Sequence, residues 1–370
     1  MARTVLITGG AGFIGSHLAD ELLAQGDRVR VLDNLDGQVH AGGERPGYLS
    51  SEVELVHGDV RDSDAVRHAL DGADAVVHLA ARVGVGQSMY ELADYQSVNA
   101  FGTGMLLEAL LDRPVAKLVV ASSMSVYGEG AYAGPDGRVL PARERSREQL
   151  ARGEWEPRGP NGEELRPVPT PETKQPSLAS IYALGKYDQE RMCLIFGAAY
   201  SVPTVALRFF NVYGPRQALS NPYTGVLAIF ASRLLNGKQP LVYEDGNQRR
   251  DFVSVDDVAR ACRLALDCDT ADGEVVNVGS GRSVSVLEIF DELRLVLGSD
   301  VEARVTAQAR AGDIRHCFAD IARARDLLGF EPRVGLEEGM RELAEWLGGE
   351  VAVDRVDDAV QELAARGLTL

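Results

Sequence analysis

The segment Arg3-Thr-Val-Leu-Ile-Thr-Gly-Gly-Ala-Gly-Phe-Ile-Gly15 contains the strongest fold signal in the chain. A short apolar strand, residues 3–8, runs into a glycine-rich turn and then into a helix. Gly9 permits a tight turn, Gly12 lets the backbone approach a pyrophosphate, and Gly15 lets the helix pack on the strand. Free N–H groups at the start of such a helix attract phosphate. The segment predicts a dinucleotide-binding turn, with a plain glycine-rich turn as the alternative.

The next strand, Arg28-Val-Arg-Val-Leu-Asp33, ends in a carboxylate. An acid at this strand end can accept hydrogen bonds from an adenine ribose and repels a 2′-phosphate. Strand, glycines, helix, strand and acid stand in the order that a dinucleotide-binding unit requires. The sequence therefore predicts NAD rather than NADP.

Strands and helices alternate further along the chain. Apolar strands are expected at 53–57, 75–80 and 117–122, and helical stretches at 62–70 and 97–111. This alternation predicts an α/β fold built on a doubly wound parallel sheet.

Two groups of residues follow strand ends, where a doubly wound sheet opens its ligand crevice. Asp59 and Val60 follow the third strand, and Leu79, Ala80 and Ala81 end the fourth. Each could instead be a turn residue or strand core. For Asp59, an N-cap of the next helix is an open alternative to an adenine contact.

Composition narrows the classes of function. The 370 residues are 45% apolar, enough for one large domain or two closely joined ones. A formal net charge of −17 argues against nucleic acid and anionic membrane surfaces as partners. No apolar run is long enough to span a membrane, and the first residues show no signal-peptide pattern. A cytoplasmic location is therefore expected.

Cysteine and histidine spacing gives no metal signal. The six His are scattered, and the four cysteines lack paired metal spacing: Cys193, Cys262, Cys268 and Cys317. We expect reduced thiols and no metal.

The alternation fails between residues 129 and 179, where Pro, Gly, Arg and Glu are mixed and Trp155 is the one bulky anchor. A long irregular insertion of this kind either covers a ligand or decorates the surface. The sequence leaves both open.

Tyr182 and Lys186 lie four residues apart in Ser180-Ile-Tyr-Ala-Leu-Gly-Lys186, which places them on one face of a helix. A cation beside a phenol stabilises phenolate and lowers its pKa. Ser123, at a strand end, could share a substrate hydroxyl with Tyr182. Alone, the spacing is equally typical of an ordinary amphipathic helix.

Several motifs in this order resemble the extended short-chain dehydrogenase/reductase family, in its nucleotide-sugar epimerase and dehydratase branch. The resemblance runs from Thr4 to about Trp346, and its motifs are Gly9-x-x-Gly12-x-x-Gly15, Ser122-Ser-Met-Ser-Val-Tyr-Gly128, Tyr182-x-x-x-Lys186, Arg208-Phe-Phe-Asn-Val-Tyr-Gly-Pro-Arg216, Arg250-Asp-Phe-Val-Ser-Val-Asp-Asp257 and Arg310-Ala-Gly-Asp313.

The resemblance implies a domain organisation. A Rossmann NAD-binding domain would span 1–212 and about 250–278, including the insertion at 129–179. A smaller α/β domain that binds a nucleotide-diphosphate sugar would span 213–249 and 279–347. Residues 348–370 would form a C-terminal extension, with an amphipathic helical stretch around 356–365.

The resemblance also implies residue roles. The catalytic residues would be Ser123, Tyr182 and Lys186, with Tyr182 as the base and Lys186 also on the nicotinamide ribose. Besides Tyr182 and Lys186, the NAD contacts would be Gly9, Gly12, Phe13, Ile14, Gly15, Asp33, Asn34, Asp59, Val60, Leu79, Ala80, Ala81, Asn99 and Phe210. The substrate contacts would be Ser123, Asn211, Arg250, Arg310, Asp313 and Cys317.

Two of these substrate positions have alternatives. Arg250 and Arg310 match positions near the diphosphate and Asp313 a ribose contact, yet Arg250 could form a surface ion pair within Arg249-Arg250-Asp251. Cys317 matches a position that limits the sugar pocket, and a buried structural thiol is the alternative.

Related enzymes dimerise through the helix after the fourth strand and the Tyr182 helix, so a homodimer is expected.

Two residues after Ser123 narrow the reaction. Related 4,6-dehydratases carry Asp and Glu there, and nucleotide-glucuronate decarboxylases carry Glu at the second position, whereas this chain has Met124 and Ser125. Neither side chain is a general acid or base at neutral pH. The resemblance therefore favours 4-epimerisation over dehydration, decarboxylation or simple ketone reduction.

The residue sequences of three segments bear on which sugar nucleotide is the substrate. They are most similar to dTDP-L-rhamnose 4-epimerase-type enzymes, with UDP-hexose and UDP-uronate 4-epimerases as alternatives: Gly214-Pro-Arg-Gln-Ala-Leu-Ser-Asn-Pro-Tyr-Thr-Gly225, Glu244-Asp-Gly246 and Gly312-Asp-Ile-Arg-His-Cys317.

Overall fold

The computed structural model describes residues 2–219, 225–310, 312–349, 354 and 356–369. The central sheet of the described residues has seven strands, all parallel. Their spatial order is β3 (Glu54–His57), β2 (Arg28–Asp33), β1 (Thr4–Thr8), β4 (Ala75–His78), β5 (Lys117–Ser123), β9 (Thr204–Phe209) and β14 (Val275–Val278). The chain order reverses between β1 and β4, which opens a crevice at the carboxyl ends of these two strands.

Helices cover both faces of this sheet because successive strand residues point to opposite sides. Val5 and Ile7 join one buried apolar cluster, whereas Leu6 joins the other. Helices packed on the first cluster are α1 (Phe13–Ala24), α9 (Val255–Asp267) and α11 (Ala322–Leu328). Helices packed on the second are α2 (Ser63–Leu70), α5 (Gly102–Asp112) and α7 (Ile181–Tyr200). The predicted doubly wound α/β fold is confirmed.

A third apolar core lies outside the large sheet and joins helices that follow β9 in the chain. Its helices are α8 (Val226–Leu235), α10 (Val286–Val296) and α12 (Leu336–Leu347). Short strand pairs border it: β10 (Asn211–Tyr213) with β13 (Phe252–Ser254), β11 (Leu241–Val242) with β16 (Arg304–Val305), and β12 (Arg249–Arg250) with β15 (Val284–Ser285) and β17 (His316–Cys317). The domain limits expected from the sequence stay a prediction.

The insertion at 129–179 is more regular than expected. It holds an antiparallel three-stranded sheet and one short helix: β6 (Ala131–Ala133), β7 (Val139–Leu140), β8 (Arg166–Val168) and α6 (Arg147–Ala151). Strands of two or three residues are too short to show a hydrophobic period, so the sequence pattern does not predict them.

Buried ion pairs connect this insertion to the turn after β11 and to the segment before β17. Arg145 pairs with Glu244 at 2.7 Å. Arg315 pairs with Glu156 of the insertion at 2.6 Å, and also with Asp245 and Glu244. The side chains of Arg315 and Glu244 are 2% and 0% exposed. Part of the insertion is therefore docked rather than loose.

Local signals set the ends of the early helices. α1 stops at a turn in which Gly26 adopts φ +85°, a backbone conformation that favours glycine. Asp62 is the N-cap of α2, since its carboxylate accepts from the backbone N–H groups of Asp64 and Ala65. The alternative that Asp59 caps this helix is therefore wrong.

The remaining helices are short or lie at the end of the chain: α3 (Val85–Ser88), α4 (Leu92–Gln96) and α13 (Val356–Ala365). α13 coincides with the helical stretch predicted around 356–365. In the part of the chain that the structure describes, no helix combines the length and apolarity needed to cross a bilayer. No cluster of metal-binding side chains occurs in the same residues.

Candidate active site

A cavity of about 660 Å³ runs along the carboxyl edge of the sheet, from the glycine turn to α13. Every predicted site residue lines it except Asn99 and Cys317. We call the part lined by the glycine turn, Asp33 and Asp59 the cofactor end. The part lined by Asn211, Arg250 and Arg310 is the substrate end. Ser123, Tyr182 and Lys186 also line the cavity, and they come from β5 and α7 of the large sheet and its helices.

The glycine turn is shaped by close approach. Gly9 has φ +69°, and a Cβ there would lie 2.8 Å from the Ala80 backbone. A Cβ on Gly15 would lie 2.6 Å from the Gly9 carbonyl oxygen. Gly12 is the N-cap of α1, and no side chain caps this helix end. The first-turn N–H groups thus face a bare backbone cradle that fits a pyrophosphate.

Asp33 does more than the sequence indicated. Its carboxylate accepts hydrogen bonds from the backbone N–H groups of Ala11 at 3.0 Å and Leu35 at 2.9 Å. It therefore holds the glycine turn in place. A carboxylate has about four acceptor positions, so capacity is left for a ribose.

Asn34 and Asp59 are linked at the same end of the cavity. The Asn34 amide donates to Asp59 at 3.0 Å, and Arg61 pairs with Asp59 at 2.7 Å. The Arg61 hydrogen bonds hold the pKa of Asp59 at about 2, against the opposing effect of burial. Asp59 is therefore an anion throughout the neutral range and can accept hydrogen bonds from a ligand.

Tyr182 and Ser123, predicted to act together on a substrate hydroxyl, both lie at the cavity wall. Burial raises the pKa of Tyr182, and a hydrogen bond from Ser123 opposes that rise. The Ser125 hydroxyl in turn lies 2.9 Å from the Ser123 oxygen and donates to it. With that oxygen accepting from Ser125, the Ser123 proton points toward Tyr182. The sequence foresaw the pair but not the Ser125 contact.

Lys186 sits behind this pair in a buried polar network. Its ammonium donates to Gln189 at 2.7 Å, and the Gln189 amide nitrogen contacts Thr103 and His78. The other nitrogen of His78 lies 2.7 Å from Thr8. Burial lowers the pKa of Lys186 to about 7 and that of His78 to about 3. Burial is the largest influence on the pKa of Tyr182, and the lowering by Lys186 expected from the sequence stays a prediction.

Arg250 presents a cation at the substrate end. Its guanidinium is held by the carbonyl oxygens of Arg249, Arg315 and Ile314, and it forms no salt bridge within the described residues. The Asp251 carboxylate does not pair with Arg250. It is fully buried and accepts from the backbone N–H groups of Ser280, Gly281 and Ala319. The surface ion pair considered for Arg249-Arg250-Asp251 is therefore wrong.

Arg310 and Asp313 pair with each other at 2.8 Å, and the Arg310 guanidinium stacks on Tyr243, 4.4 Å from the ring centre. The pair lines the cavity beside Asn211. The motif residue Ala311 lies outside the described residues, as does 220–224 of the segment quoted from Gly214 to Gly225.

Three amide side chains at the substrate end carry a buried oxygen without a hydrogen-bond partner among the described residues: Asn211, Gln217 and Gln248. A buried acceptor left unpaired costs roughly 1–3 kcal/mol, so such oxygens mark places where a ligand donor fits. Only Asn211 was predicted. Gln217 and Gln248 carry no motif that distinguishes them from surface glutamines.

Asn99 and Cys317 lie behind the cavity wall. Asn99 is fully buried and bonds the backbone N–H and carbonyl of Arg82, which holds the segment after β4. Cys317 is 1% exposed and packs 3.9 Å from the Thr170 hydroxyl. Burial raises the pKa of its thiol to about 12. For Cys317 the buried-thiol alternative describes the placement, and neither residue reaches the cavity.

Known proteins resemble the whole of this architecture. Residues 5–151 and 157–279 match the model of the NAD dependent epimerase/dehydratase family. A dTDP-L-rhamnose 4-epimerase of Burkholderia thailandensis is 37% identical over 355 residues, which cover 94% of this chain and 96% of that protein.

Solved structures agree. A UDP-glucose 4-epimerase of Thermotoga maritima, determined with UDP-glucose, matches with a TM-score of 0.77 at 32% identity, covering 94% of this chain and 99% of that one. A UDP-glucose 4-epimerase of Thermus thermophilus in complex with NAD matches with a TM-score of 0.74 at 32% identity, covering 94% of this chain and all of that one. The chain belongs to the NAD dependent epimerase/dehydratase family.

Proposed function

We propose that this chain inverts C4 of a nucleotide-diphosphate sugar, acting as an NAD-dependent nucleotide-sugar 4-epimerase. Family membership confirms NAD as the cofactor, and the glycine cradle and Asp33 fit it. The single observation that carries the reaction type is that Met124 and Ser125, at the cavity wall after Ser123, bring no carboxylate to the reacting sugar.

Epimerisation is favoured because no acid or base for a second chemical step stands next to Ser123. Met124 and Ser125 occupy the positions where related dehydratases carry carboxylates, and both are buried at the cavity wall. Ser125 is already committed to Ser123 at 2.9 Å. Elimination of water needs a proton donor to the leaving hydroxyl, which neither side chain supplies.

The residues divide the work on one sugar hydroxyl. Ser123 and Tyr182 hold the C4 hydroxyl between them, and Tyr182 removes its proton as a hydride leaves C4. NAD, which the glycine turn and Asp33 would hold, would supply the acceptor and the donor of that hydride. C4 is a ketone between the two transfers. Tyr182 gives the proton back to the new alkoxide. Return of the hydride to the opposite face of the ketone inverts the carbon.

The substrate end is suited to a diphosphate. Arg250 has no carboxylate partner in the described residues, and guanidinium groups bind phosphate oxygens bidentately. We propose Arg250 and Arg310 as diphosphate contacts, and Asn211 and Asp313 as contacts to neighbouring groups. We also propose that Cys317 limits the size of the sugar pocket. Because it lies behind the cavity wall, it would do so through its packing against Thr170 and the wall and not by contact with the sugar.

For the sugar we propose a dTDP-6-deoxyhexose of the L-rhamnose type, with UDP-hexoses and UDP-uronates as the second candidates. The similarity to the Burkholderia thailandensis enzyme over nearly the full length of both chains supports this order. The test is to incubate the protein with dTDP-L-rhamnose, UDP-glucose, UDP-GlcNAc and UDP-glucuronate and to follow the C4 configuration by NMR.

Each outcome of that test has a clear reading. Inversion of dTDP-L-rhamnose alone supports the full proposal, and inversion of a UDP-sugar corrects the substrate. Loss of water from the sugar would establish a dehydratase. Accumulation of free NADH without inversion would establish a dehydrogenase or 4-ketoreductase instead.

We propose a homodimer that forms through α5 and α7. Phe101 and Leu111 are 56% and 48% exposed, and Ile195 and Tyr200 on α7 are 60% and 59% exposed. Apolar side chains grouped in this way on neighbouring helices are typical of an interface. We also propose a cytoplasmic location, since all four cysteines are free thiols.

Light scattering after size exclusion tests the dimer. Ile195→Glu should give a monomer, because a charge at the centre of an apolar interface loses its water. Leu295→Glu is the matched control, because Leu295 is 76% exposed on α10, away from both helices. A dimer that survives Ile195→Glu would move the interface elsewhere.

A further inference from the structure

The described end of the chain lies across the substrate end of the cavity. Five residues of this segment, which we call the tail (354 and 356–369), line the cavity, and all are apolar: Val356, Ala359, Val360, Leu363 and Leu368. Val356, Ala359 and Leu363 are less than a tenth exposed although they belong to the final helix of the chain. A terminal helix buries an apolar face only where a partner surface accepts it.

Buried charges fasten the start of the tail to α8. Asp354 pairs with Arg233 at 3.1 Å and with Lys238 at 2.7 Å, and Asp357 pairs with Arg233 at 2.7 Å. The side chains of Asp354 and Arg233 are 3% and 8% exposed, so this pair is shielded from solvent. Shielded pairs of this kind hold position more firmly than surface pairs.

The end of the tail contacts both sides of the cavity. Thr369 forms an antiparallel β-bridge with Arg310, the proposed diphosphate ligand. The Arg366 guanidinium lies 4.3 Å from the centre of the Tyr90 ring, between α3 and α4 on the cofactor side. The tail therefore spans the cavity from α8 to the segment that precedes α4.

The order of residues along the cavity identifies what the tail meets. If the sugar C4 lies at Tyr182 and the diphosphate at Arg250 and Arg310, the nucleoside must lie beyond the two arginines. Leu241 and Tyr243 of the β11 region line the same cavity as the tail, and the Tyr243 ring lies beside the Arg310 guanidinium. A nucleobase is a flat ring with apolar faces, which fits between two apolar walls.

We propose that the tail forms one wall of the nucleoside subsite and that Leu363 and Val360 pack against the pyrimidine base. This inference rests on the proposed function, because it takes the ligand to be a nucleoside diphosphate sugar. No hydrogen bond or ion pair joins the tail to the glycine turn or to Tyr182 in the described residues. It therefore contributes to nucleotide affinity and leaves cofactor binding and the chemical step alone.

The test compares two full-length variants that introduce the same charge at a buried and at an exposed position of α13. Leu363→Asp places a carboxylate on the cavity wall, where it repels the diphosphate and removes an apolar contact. Ala364→Asp places it on the exposed face of the same helix. Dissociation constants for UDP and dTDP are measured by calorimetry, together with NAD content, KM and kcat.

Leu363→Asp should raise the dissociation constants and KM about tenfold or more, with kcat and NAD content unchanged. Ala364→Asp should behave as the wild type. Unchanged nucleotide affinity in Leu363→Asp overturns the inference. If that variant does not fold, Val360→Asp repeats the test at a partly buried position.

Nucleotide binding separates this inference from the proposed function. A tenfold loss of UDP or dTDP affinity in Leu363→Asp upholds the nucleoside wall even if no tested sugar is inverted. If the wild type inverts a nucleotide sugar and Leu363→Asp keeps the wild-type KM, the inference about the nucleoside wall is wrong and the proposed function stands. A wild-type protein that binds neither nucleotide overturns both.

Discussion

The two ends of the cavity are built in different ways. The cofactor end is built mainly from backbone, namely a glycine turn and a helix start without a side-chain cap. The Asp33 carboxylate holds this backbone by accepting from its N–H groups. The substrate end consists of side chains from distant segments, among them Arg250, Arg310 and Leu363. Backbone sites require glycine at fixed spacing and leave a mark in the sequence. Side-chain sites assembled from distant segments leave almost none.

The largest effect is expected where the two ends meet. Tyr182→Phe removes the hydroxyl that exchanges the proton, and turnover should fall about 10²–10⁴-fold. NAD content should stay at the wild-type level because the cofactor end is intact. Single-turnover kinetics and the absorbance of bound NAD check this. Tyr200→Phe, at the exposed end of the same helix, is the control, and equal activity of both variants would remove Tyr182 as the base.

The substrate end should be broken by loss of a buried charge. Arg315→Met leaves Glu244 and Asp245 without their shared cation, and breaking such a buried network costs about 3–5 kcal/mol. Thermal unfolding should show this loss. Arg325→Met is the control, because its ion pair with Glu331 is about half exposed and contributes about 0–1 kcal/mol. Equal losses in both variants would mean that the insertion is not held by Arg315.

The cofactor end should be broken by a single methyl group. A Cβ at residue 15 would lie 2.5 Å from the Gly10 Cα and 2.6 Å from the Gly9 oxygen, both backbone atoms that cannot turn away. Gly15→Ala should cost about 1–3 kcal/mol of folding free energy and most of the bound NAD. Gly47→Ala, which meets nothing within 4 Å, should change neither. Full NAD content in Gly15→Ala would show that the cradle is looser than its geometry indicates.

A pH-dependent effect tests the network behind Lys186. Its pKa in the folded chain is about 7, below the usual 10.5, so the unfolded chain binds an extra proton between these values. The free energy of unfolding therefore rises as pH increases from about 7 to about 10, by about 1.4 kcal/mol per unit of pKa difference at most. In Lys186→Met that rise should disappear. Denaturant titrations of NAD-free protein at several pH values measure it, and an unchanged slope would mean that Lys186 is not desolvated.

Much of the fold was predictable for a plain reason. Five of the seven strands, their doubly wound arrangement and the cofactor end follow from short-range patterns: apolar runs, helical spacing and glycine turns. β9 and β14 were not predicted. The sequence left open whether Asp59 caps α2, because an Asp shortly before a helix is a typical N-cap. Only the backbone geometry shows that Asp62 accepts from the first turn of the helix.

The sequence by itself determined the doubly wound sheet and the NAD cradle, because each depends on residues close together in the chain. The roles of Ser123, Tyr182 and Lys186 rest on the resemblance of separate motifs and stay a prediction. The tertiary structure alone decided that Gln189 holds Lys186, that Cys317 lies behind the wall, that Arg315 fastens the insertion, and that the tail closes the substrate end. These contacts join segments that are distant in sequence or depend on side-chain direction. Only packing of the whole chain sets which partner each polar group finds.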